Sequence, residues 1–245
     1  MTADEASIGD ARRRVLASIA DAARRAGRDP LAIRLVAVTK QVPADVVRAA
    51  VTAGCEELGE NRVQEAAAKI PLVAGATSGS ASGAAPRWHL IGPLQSNKAR
   101  RAVELFDVVE AVDSLELAAR LDRLAQELRP GRPLPILLEV NVDADPAKSG
   151  FTPAGVEAAL PAILSLPAVR VDGLMTVGRQ VQAPEAARPT FAALRGLSQR
   201  LRAGFAGLGP ELSMGMSDDF PIAVEEGATI VRVGRVLFGE RPAHG

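Results

Sequence analysis

The sequence predicts a (β/α)₈ barrel, an α/β fold in which eight parallel strands alternate with helices. Eight apolar runs rich in β-forming residues are each separated from the next by one segment of helical periodicity, a pattern typical of a parallel sheet covered by helices. The chain has 245 residues, which is a usual length for a single α/β barrel. No Gly-x-Gly-x-x-Gly sequence follows the first strand, and this argues against an open dinucleotide-binding sheet.

The first predicted element is an amphipathic helix over residues 6–26, whose apolar residues recur at helical spacing until Gly27 and Pro30 end it. The apolar, β-rich runs that follow predict strands at 35–39, 56–59, 88–91, 108–111, 135–142, 171–175, 211–214 and 229–233. The periodic segments between them predict helices at 44–53, 61–70, 97–105, 115–128, 153–164, 185–206 and 218–227.

Small, uncharged residues fill the segment 74–86, which we predict to be a flexible surface loop between a helix and the third strand. Its composition does not indicate a domain boundary. We therefore expect one barrel domain over residues 1–245, with residues 1–30 as an N-terminal helical extension.

The composition argues against several classes of function. With 29 basic and 29 acidic residues the formal net charge is +0, so no overall field attracts nucleic acid or a membrane surface. A single cysteine, Cys55, cannot form an internal disulfide, and the acidic N-terminus lacks the apolar core of a secretory signal. No apolar stretch is long enough to span a bilayer. We expect a monomer located in the cytoplasm.

Lys40 stands at the end of the first predicted strand, directly after an apolar run. Only four of the 29 basic residues are lysine, so arginine is the usual source of positive charge in this chain. A desolvated lysine can lose its proton and form a Schiff base with an aldehyde, whereas arginine stays protonated. The alternative is a lysine that merely ends the strand and extends its ammonium into water.

Other candidate residues also lie at the ends of predicted strands. The active site of a parallel barrel is built at the carboxyl ends of its strands, and these ends supply Lys40, Asn61, His89, Met175, Ser213, Ser217, Arg232, Gly234 and Arg235. Each residue alone could instead be a helix cap or a turn former. Their common position is what predicts a site. No metal site is predicted.

The last two strand ends indicate an anion site. Ser217 offers a hydroxyl, and Gly234 and Arg235 offer backbone amides at the start of a helical turn, an arrangement that binds phosphate in many barrels. Two ordinary glycine turns are the alternative, and Asp218 and Asp219 would repel phosphate if they pointed inward. A lysine opposite a phosphate site suits a phosphorylated aldehyde. Pyridoxal 5′-phosphate is one such ligand, and a sugar phosphate bound by an aldolase is another.

Six stretches of the sequence together resemble one known family. They are Ala-Val-Thr-Lys at 37–40, Gly-Glu-Asn-Arg-Val-Gln-Glu at 59–65, Trp-His-Leu-Ile-Gly-Pro-Leu-Gln-Ser-Asn-Lys at 88–98, Gly-Leu-Met at 173–175, Leu-Ser-Met-Gly-Met-Ser at 212–217 and Val-Arg-Val-Gly-Arg-Val-Leu-Phe-Gly at 231–239. In this order they resemble the pyridoxal-phosphate homeostasis protein family, whose barrel is similar to the N-terminal domain of alanine racemase.

The resemblance implies that pyridoxal 5′-phosphate is held as a Schiff base on Lys40. It implies that Arg232 faces the pyridine nitrogen, which stays unprotonated and makes the cofactor a weak electron sink. It further implies a phosphate bound by Ser217 and by the amides of Gly234 and Arg235. The remaining pocket residues implied are Asn61, His89, Met175 and Ser213.

The resemblance also implies storage of the cofactor or its delivery to apoenzymes rather than confirmed catalysis. Two-base alanine racemases pair their lysine with a tyrosine, and this chain contains no tyrosine. His89 could replace that base, although we expect it to be structural and to donate to a strand carbonyl. A slow racemase or lyase and a barrel that acts by protein contact are the alternatives.

Overall fold

The computed structural model describes residues 5–76, 84–178 and 181–239. Within these ranges eight strands form a closed barrel in chain order, and every neighbouring pair is parallel. The strands are β1 Arg34–Val38, β2 Glu57–Glu60, β3 Arg87–Leu90, β4 Val108–Val112, β5 Leu134–Glu139, β6 Val169–Met175, β7 Glu211–Ser213 and β8 Ile230–Val233. The predicted fold class is confirmed.

Helices cover the outside of the barrel. They are α1 Glu5–Arg25, α2 Ala44–Thr52, α3 Val63–Val73, α4 Ala99–Leu105, α5 Leu115–Leu128, α6 Pro153–Leu164, α7 Arg188–Gly204, α8 Phe220–Glu225 and α9 Arg235–Phe238. Short 3₁₀ turns lie at Pro30–Ala32, Ser96–Lys98 and Pro184–Ala187. In the described part of the chain, no helix has the length and apolar character needed to cross a membrane.

Side-chain caps fix two of the helix starts. The Ser114 hydroxyl accepts a hydrogen bond from the Leu117 amide at 3.3 Å at the start of α5, and the Thr152 hydroxyl accepts one from the Gly155 amide at 2.9 Å at the start of α6. Such caps satisfy amides that have no acceptor within the helix. Both helices have the predicted bounds.

The closure of the barrel decides what surrounds Lys40. Strand β1 pairs with β8 through Val36 and Arg232 on one side, and with β2 through Val38 and Gly59 on the other. Lys40 follows β1 by two residues. It therefore lies at the carboxyl end of the barrel, between the ends of β2 and β8.

The apolar core has two parts. The larger part lies between the strands and the helices, and α1 joins it through a buried face that includes Ile8, Val15 and Ile19. The smaller part lies inside the barrel and consists of Val36, Ala111, Leu137, Met175 and Ile230. Because this inner cluster is small, room remains in the barrel for buried polar side chains.

The prediction of the fifth strand was wrong at its end, which was placed at residue 142. Strand β5 ends at Glu139 because the chain then folds back on itself. The Asn141 amide donates to the Phe151 carbonyl at 2.9 Å, and the Asn141 side chain donates to the Asp145 carbonyl at 2.8 Å. Asparagine commonly stabilises turns through such local hydrogen bonds.

Smaller differences concern helix starts and two segments. Helix α3 begins at Val63 rather than at residue 61, and the first turn of the predicted helix 185–206 is a 3₁₀ turn. The predicted loop 74–86 lies partly outside the described residues, since 77–83 are not among them. The N-terminal extension is described from Glu5 onward, as the helix α1 and the 3₁₀ turn that follows it.

Candidate functional site

A cavity of about 250 Å³ opens at the carboxyl ends of the strands, where barrel proteins place their active sites. It shares Asn61 with a larger surface groove of about 690 Å³. Its walls are formed by Val38, Lys40, Asn61, Ile91, Val177, Met216, Ser217, Arg232, Gly234 and Arg235.

The structure brings most of the predicted site residues together in this cavity. The wall includes Lys40, Asn61, Ser217, Arg232, Gly234 and Arg235. The other three predicted residues, His89, Met175 and Ser213, are fully buried and do not belong to the described wall. Their contact with a ligand stays a prediction.

Arg232 is held rigidly at the base of the cavity. Its side chain is buried, with Nη1 donating to the Ser213 hydroxyl at 2.6 Å and Nη2 donating to the Thr176 carbonyl at 2.9 Å. Burial lowers the pKa of Arg232, against the opposing charge of Glu110. A guanidinium keeps its proton even so, and Arg232 therefore presents a fixed positive charge to the cavity.

A chain of buried polar side chains continues below Arg232. The Ser213 hydroxyl donates to Glu110 Oε2 at 2.5 Å, and His89 Nδ1 lies 2.7 Å from Glu110 Oε1. His89 Nε2 lies 3.4 Å from Glu57 Oε2, and neither atom has a hydrogen-bond partner in the described structure. Arg34, at the opposite end of the barrel, lies 3.3 Å from Glu57.

Positive and negative side chains alternate along this buried series, and each charge is stabilised by its neighbours. Burial alone would lower the pKa of His89, but Glu110 and Glu57 outweigh it and raise that pKa. Burial alone would raise the pKa of Glu110, but His89 and Arg232 outweigh it and lower that pKa. The pKa of Glu57 falls to about 2 because His89, Arg34 and Arg87 outweigh its burial in the same way. The raised pKa favours the cationic form of His89. Both of its ring nitrogens face carboxylates, so the expectation that it donates to a strand carbonyl was wrong.

Another part of the cavity wall is formed where the loops that follow β7 and β8 meet. The Gly234 amide donates to the Ser217 hydroxyl at 3.2 Å. Gly215 makes this approach possible because its φ is 90° and a side chain there would place Cβ 2.5 Å from the Cβ of Ala223. Glycine is the residue that adopts such a φ without strain.

The two acidic residues that could have opposed an anion point elsewhere. Asp218 is exposed and forms an ion pair with Arg235. Asp219 is buried, and its carboxylate accepts a hydrogen bond from the Met216 amide at 2.6 Å. Neither residue belongs to the cavity wall, whose charged members are Lys40, Arg232 and Arg235. The cavity therefore has the charge that a small anion requires.

Sequence reasoning missed the apolar part of the wall, which consists of Val38, Ile91, Val177 and Met216. These residues lie at or just after strand ends, as the polar candidates do. Their position at the strand ends could have identified them. Valine, isoleucine and methionine carry no reactive group, so they were not considered as candidates. Cofactor sites are commonly lined by apolar side chains together with a few polar ones.

Known proteins with related sequences share this barrel. The alanine racemase N-terminal domain family matches residues 14–242. The pyridoxal phosphate homeostasis protein of Pseudomonas aeruginosa is 42% identical over 230 residues, which cover 93% of each chain. PipY of Synechococcus elongatus, solved with PLP bound, has 42% identity and a TM-score of 0.77, and the match covers 90% of this chain and 100% of that one.

A more distant structure shows the fold alone. An alanine racemase of Clostridium difficile has 14% identity and a TM-score of 0.71, and the match covers 96% of this chain but 58% of that one. The nearer relatives match over almost their full length. This chain therefore belongs to the pyridoxal phosphate homeostasis protein family and carries the alanine racemase N-terminal domain.

Proposed function

We propose that this protein binds pyridoxal 5′-phosphate as a Schiff base on Lys40, and that it stores the cofactor or delivers it to apoenzymes. The observation that carries the proposal is that Lys40, Arg232 and Ser217 line one cavity. The names of the relatives, and the PLP-bound structure of PipY, support the choice of ligand.

The residues of the cavity fit the cofactor in size and charge. Small-ligand sites typically enclose about 300–1,000 Å³. The cavity volume of about 250 Å³ lies just below that range and would suit only a small ligand. A phosphate monoester carries about −1.5 to −2 charges near neutral pH, and Arg235 is the cationic side chain that the wall would place beside it. Ser217, Gly234 and Arg235 together offer a hydroxyl, amides and a guanidinium to its oxygens.

Lys40 would supply the amine. When bound, pyridoxal phosphate supplies an aldehyde and an electron-withdrawing ring. The neutral Nζ of Lys40 would form a carbon–nitrogen double bond with the aldehyde carbon, and the carbonyl oxygen would leave as water. Addition of water reverses the step and frees the amine, so storage and release would use the same reaction.

Arg232 would hold the ring while limiting its reactivity. A guanidinium donates hydrogen bonds but does not release a proton, so the pyridine nitrogen beside it would stay unprotonated. Ser213 and Thr176 already fix the orientation of this guanidinium. A cofactor held in this way would be only weakly activated, which would suit a carrier.

The second candidate function is slow racemase or lyase activity, which Lys40 as a base would allow. Fast racemisation requires a base on each face of the substrate. Of the described residues along the wall, only Lys40 carries an amine that could serve as a base, and the whole sequence contains no tyrosine. Exchange of the α-proton of an amino acid in deuterated water, lost in Lys40→Ala, would support this alternative.

An absorbance titration tests the binding proposal. Addition of pyridoxal phosphate should produce the visible band of a Schiff base in the wild-type protein and in the control Lys98→Arg. Lys40→Arg keeps the charge and should keep the fold by circular dichroism, yet it should lack the band. A band that persists in Lys40→Arg would assign the Schiff base to another amine.

A transfer assay tests delivery. Loaded protein is mixed with a defined apoenzyme in the presence of a scavenger for free cofactor, and recovery of the apoenzyme's activity is followed. Recovery that the scavenger does not suppress supports direct transfer. Complete suppression would restrict the proposal to storage and release. The predicted cytoplasmic location and monomeric state stay predictions.

A further inference from the structure

A second lysine, Lys69 on α3, lies buried directly behind the Lys40 segment, with 6% of its surface exposed. Its Nζ donates to the Thr39 carbonyl at 2.6 Å, to Glu60 Oε1 at 2.6 Å and to Glu65 Oε1 at 2.9 Å. An ammonium has three protons to donate, and these three acceptors use all of them.

Hydrogen bonds to this cluster hold the backbone on both sides of Lys40. On one side, Lys69 binds the Thr39 carbonyl, and the Thr39 hydroxyl donates to Glu60 Oε1 at 2.6 Å. On the other side, the Gln41 amide donates to the Glu65 carboxylate. Both neighbours of Lys40 are therefore tied to one buried ion cluster, formed by Lys69, Glu60 and Glu65.

The backbone at this point needs such support. Gln41 has a φ of 60°, a left-handed conformation that is unfavourable in a residue other than glycine. A conformation of this kind persists where the surrounding structure enforces it, and it often marks a functional site. The hydrogen bond from Gln41 to Glu65 enforces it here, and the resulting turn at Lys40 and Gln41 follows the strand, which ends at Val38.

The stability of the fold does not by itself explain the cluster. Burial raises the pKa of Glu60 despite the adjacent Lys69 ammonium, and the Glu60 Oε2 atom is buried with no hydrogen-bond partner in the described structure. Buried ion pairs can often be replaced by apolar side chains without loss of stability. Apolar side chains could not form the directional hydrogen bonds to the Thr39 carbonyl and the Gln41 amide.

We propose that Lys69, together with Glu60 and Glu65, is a positioning group that directs the Lys40 side chain into the cavity and so sets the strength of covalent cofactor attachment. This inference rests on the proposed function. Lys69 itself forms no bond with the ligand. It acts on the peptide groups that flank Lys40, while the noncovalent contacts of the cavity come from other residues.

Two ligands separate this role from a general structural one. Pyridoxal 5′-phosphate requires Lys40 for covalent attachment, whereas pyridoxine 5′-phosphate has an alcohol in place of the aldehyde and binds only noncovalently. Lys69→Met should weaken the affinity for pyridoxal phosphate by about tenfold or more, as expected for loss of a charged hydrogen bond. The affinity for pyridoxine phosphate should stay within about twofold. Lys98→Met, the same substitution at a lysine away from the cluster, should change neither affinity.

A double variant guards against misfolding of Lys69→Met, which leaves Glu60 buried without its cation. The double variant Lys69→Met with Glu60→Gln removes both charges and should fold, yet it should show the same selective loss. Glu65→Gln retains an acceptor for the Gln41 amide, so it should lose less affinity for pyridoxal phosphate than Glu65→Ala.

The outcomes are distinct. Equal weakening of both ligands in the folded double variant would assign the cluster a merely structural role and overturn the inference. Unchanged affinity for pyridoxal phosphate in that variant would also overturn it, while the proposed function would stand. Wild-type protein that shows no covalent attachment after borohydride reduction would overturn the proposed function, and the inference with it.

Discussion

Arg232 and Glu110 are joined through a single hydroxyl inside the barrel. The Ser213 oxygen accepts a hydrogen bond from Arg232 at 2.6 Å and donates one to Glu110 at 2.5 Å. Glu110 also contacts His89 at 2.7 Å. The orientation of a cationic side chain at the cavity therefore depends on a carboxylate that is fully buried below it.

The first prediction concerns Glu110. Glu110→Gln leaves the cations of His89 and Arg232 buried without their shared carboxylate. Removal of one partner of a buried ion pair typically costs about 3–5 kcal/mol. The free energy of unfolding in urea should therefore fall by that amount. Glu104→Gln removes an exposed carboxylate that pairs with Arg101 on the surface, and its effect should stay below about 1 kcal/mol. Equal effects of the two substitutions would contradict the account.

The second prediction concerns the pH dependence of stability. The pKa of His89 in the folded protein is raised above its ordinary value of 6.5. The stabilisation from His89 is therefore complete below about pH 6.5 and is lost as the pH rises through the folded pKa, at up to about 1.4 kcal/mol per pH unit.

Thermal unfolding at a series of pH values above neutral checks this dependence. The Tm of the wild-type protein should fall with rising pH more steeply than the Tm of His89→Gln, which lacks the titrating group. The variant should be less stable overall, since Glu57 and Glu110 lose their shared cation. Parallel curves for the two proteins would show that His89 is not a buried cation.

The third prediction concerns Ser217. Ser217→Ala removes the hydroxyl that joins the two loops at the cavity, and it should weaken the affinities for pyridoxal phosphate and for inorganic phosphate by a similar factor of about tenfold. Covalent attachment to Lys40 should still reach completion at saturating ligand. Isothermal titration calorimetry measures both affinities. Ser165→Ala, at the exposed end of α6, is the matched control. If Ser217→Ala binds both ligands as tightly as this control, Ser217 does not contact the phosphate.

The fourth prediction concerns Gly215. A methyl group at Gly215 would lie 2.5 Å from the Cβ of Ala223, in a backbone conformation with a φ of 90°. Gly215→Ala should therefore lower the free energy of unfolding by about 1–3 kcal/mol and displace Ser217, with a matching loss of phosphate affinity. Wild-type stability in this variant, measured by urea unfolding, would show that the turn is less constrained than the structure indicates.

Local signals in the sequence were sufficient for most of the elements. Helix α5 has its predicted bounds because Ser114 caps a segment of strong helical periodicity. Strand β5 was predicted too long because the apolar run favours a longer strand. Asn141 instead forms side-chain hydrogen bonds within the loop, and these favour a turn after the strand. Lys40 could be identified as a candidate because a reactive residue type ended a strand.

The polar interior could not be predicted in the same way. Glu110, Ser213 and Arg232 lie on β4, β7 and β8, so their contacts depend on closure of the barrel and on strand register. Lys69 and Glu65 are four residues apart and could have been recognised as a helical ion pair. Nothing local, however, indicates that Lys69 reaches the carbonyl of Thr39, thirty residues earlier in the chain.

The central claim is that the Nζ of Lys40 carries the cofactor. The most direct measurement is borohydride reduction of the loaded protein, followed by digestion and mass spectrometry of the peptides that contain the four lysines. The account predicts a stable pyridoxyl phosphate adduct on the peptide with Lys40, at a stoichiometry near one and with none on the other three lysines. A fully loaded protein whose Lys40 peptide keeps its unmodified mass would contradict it.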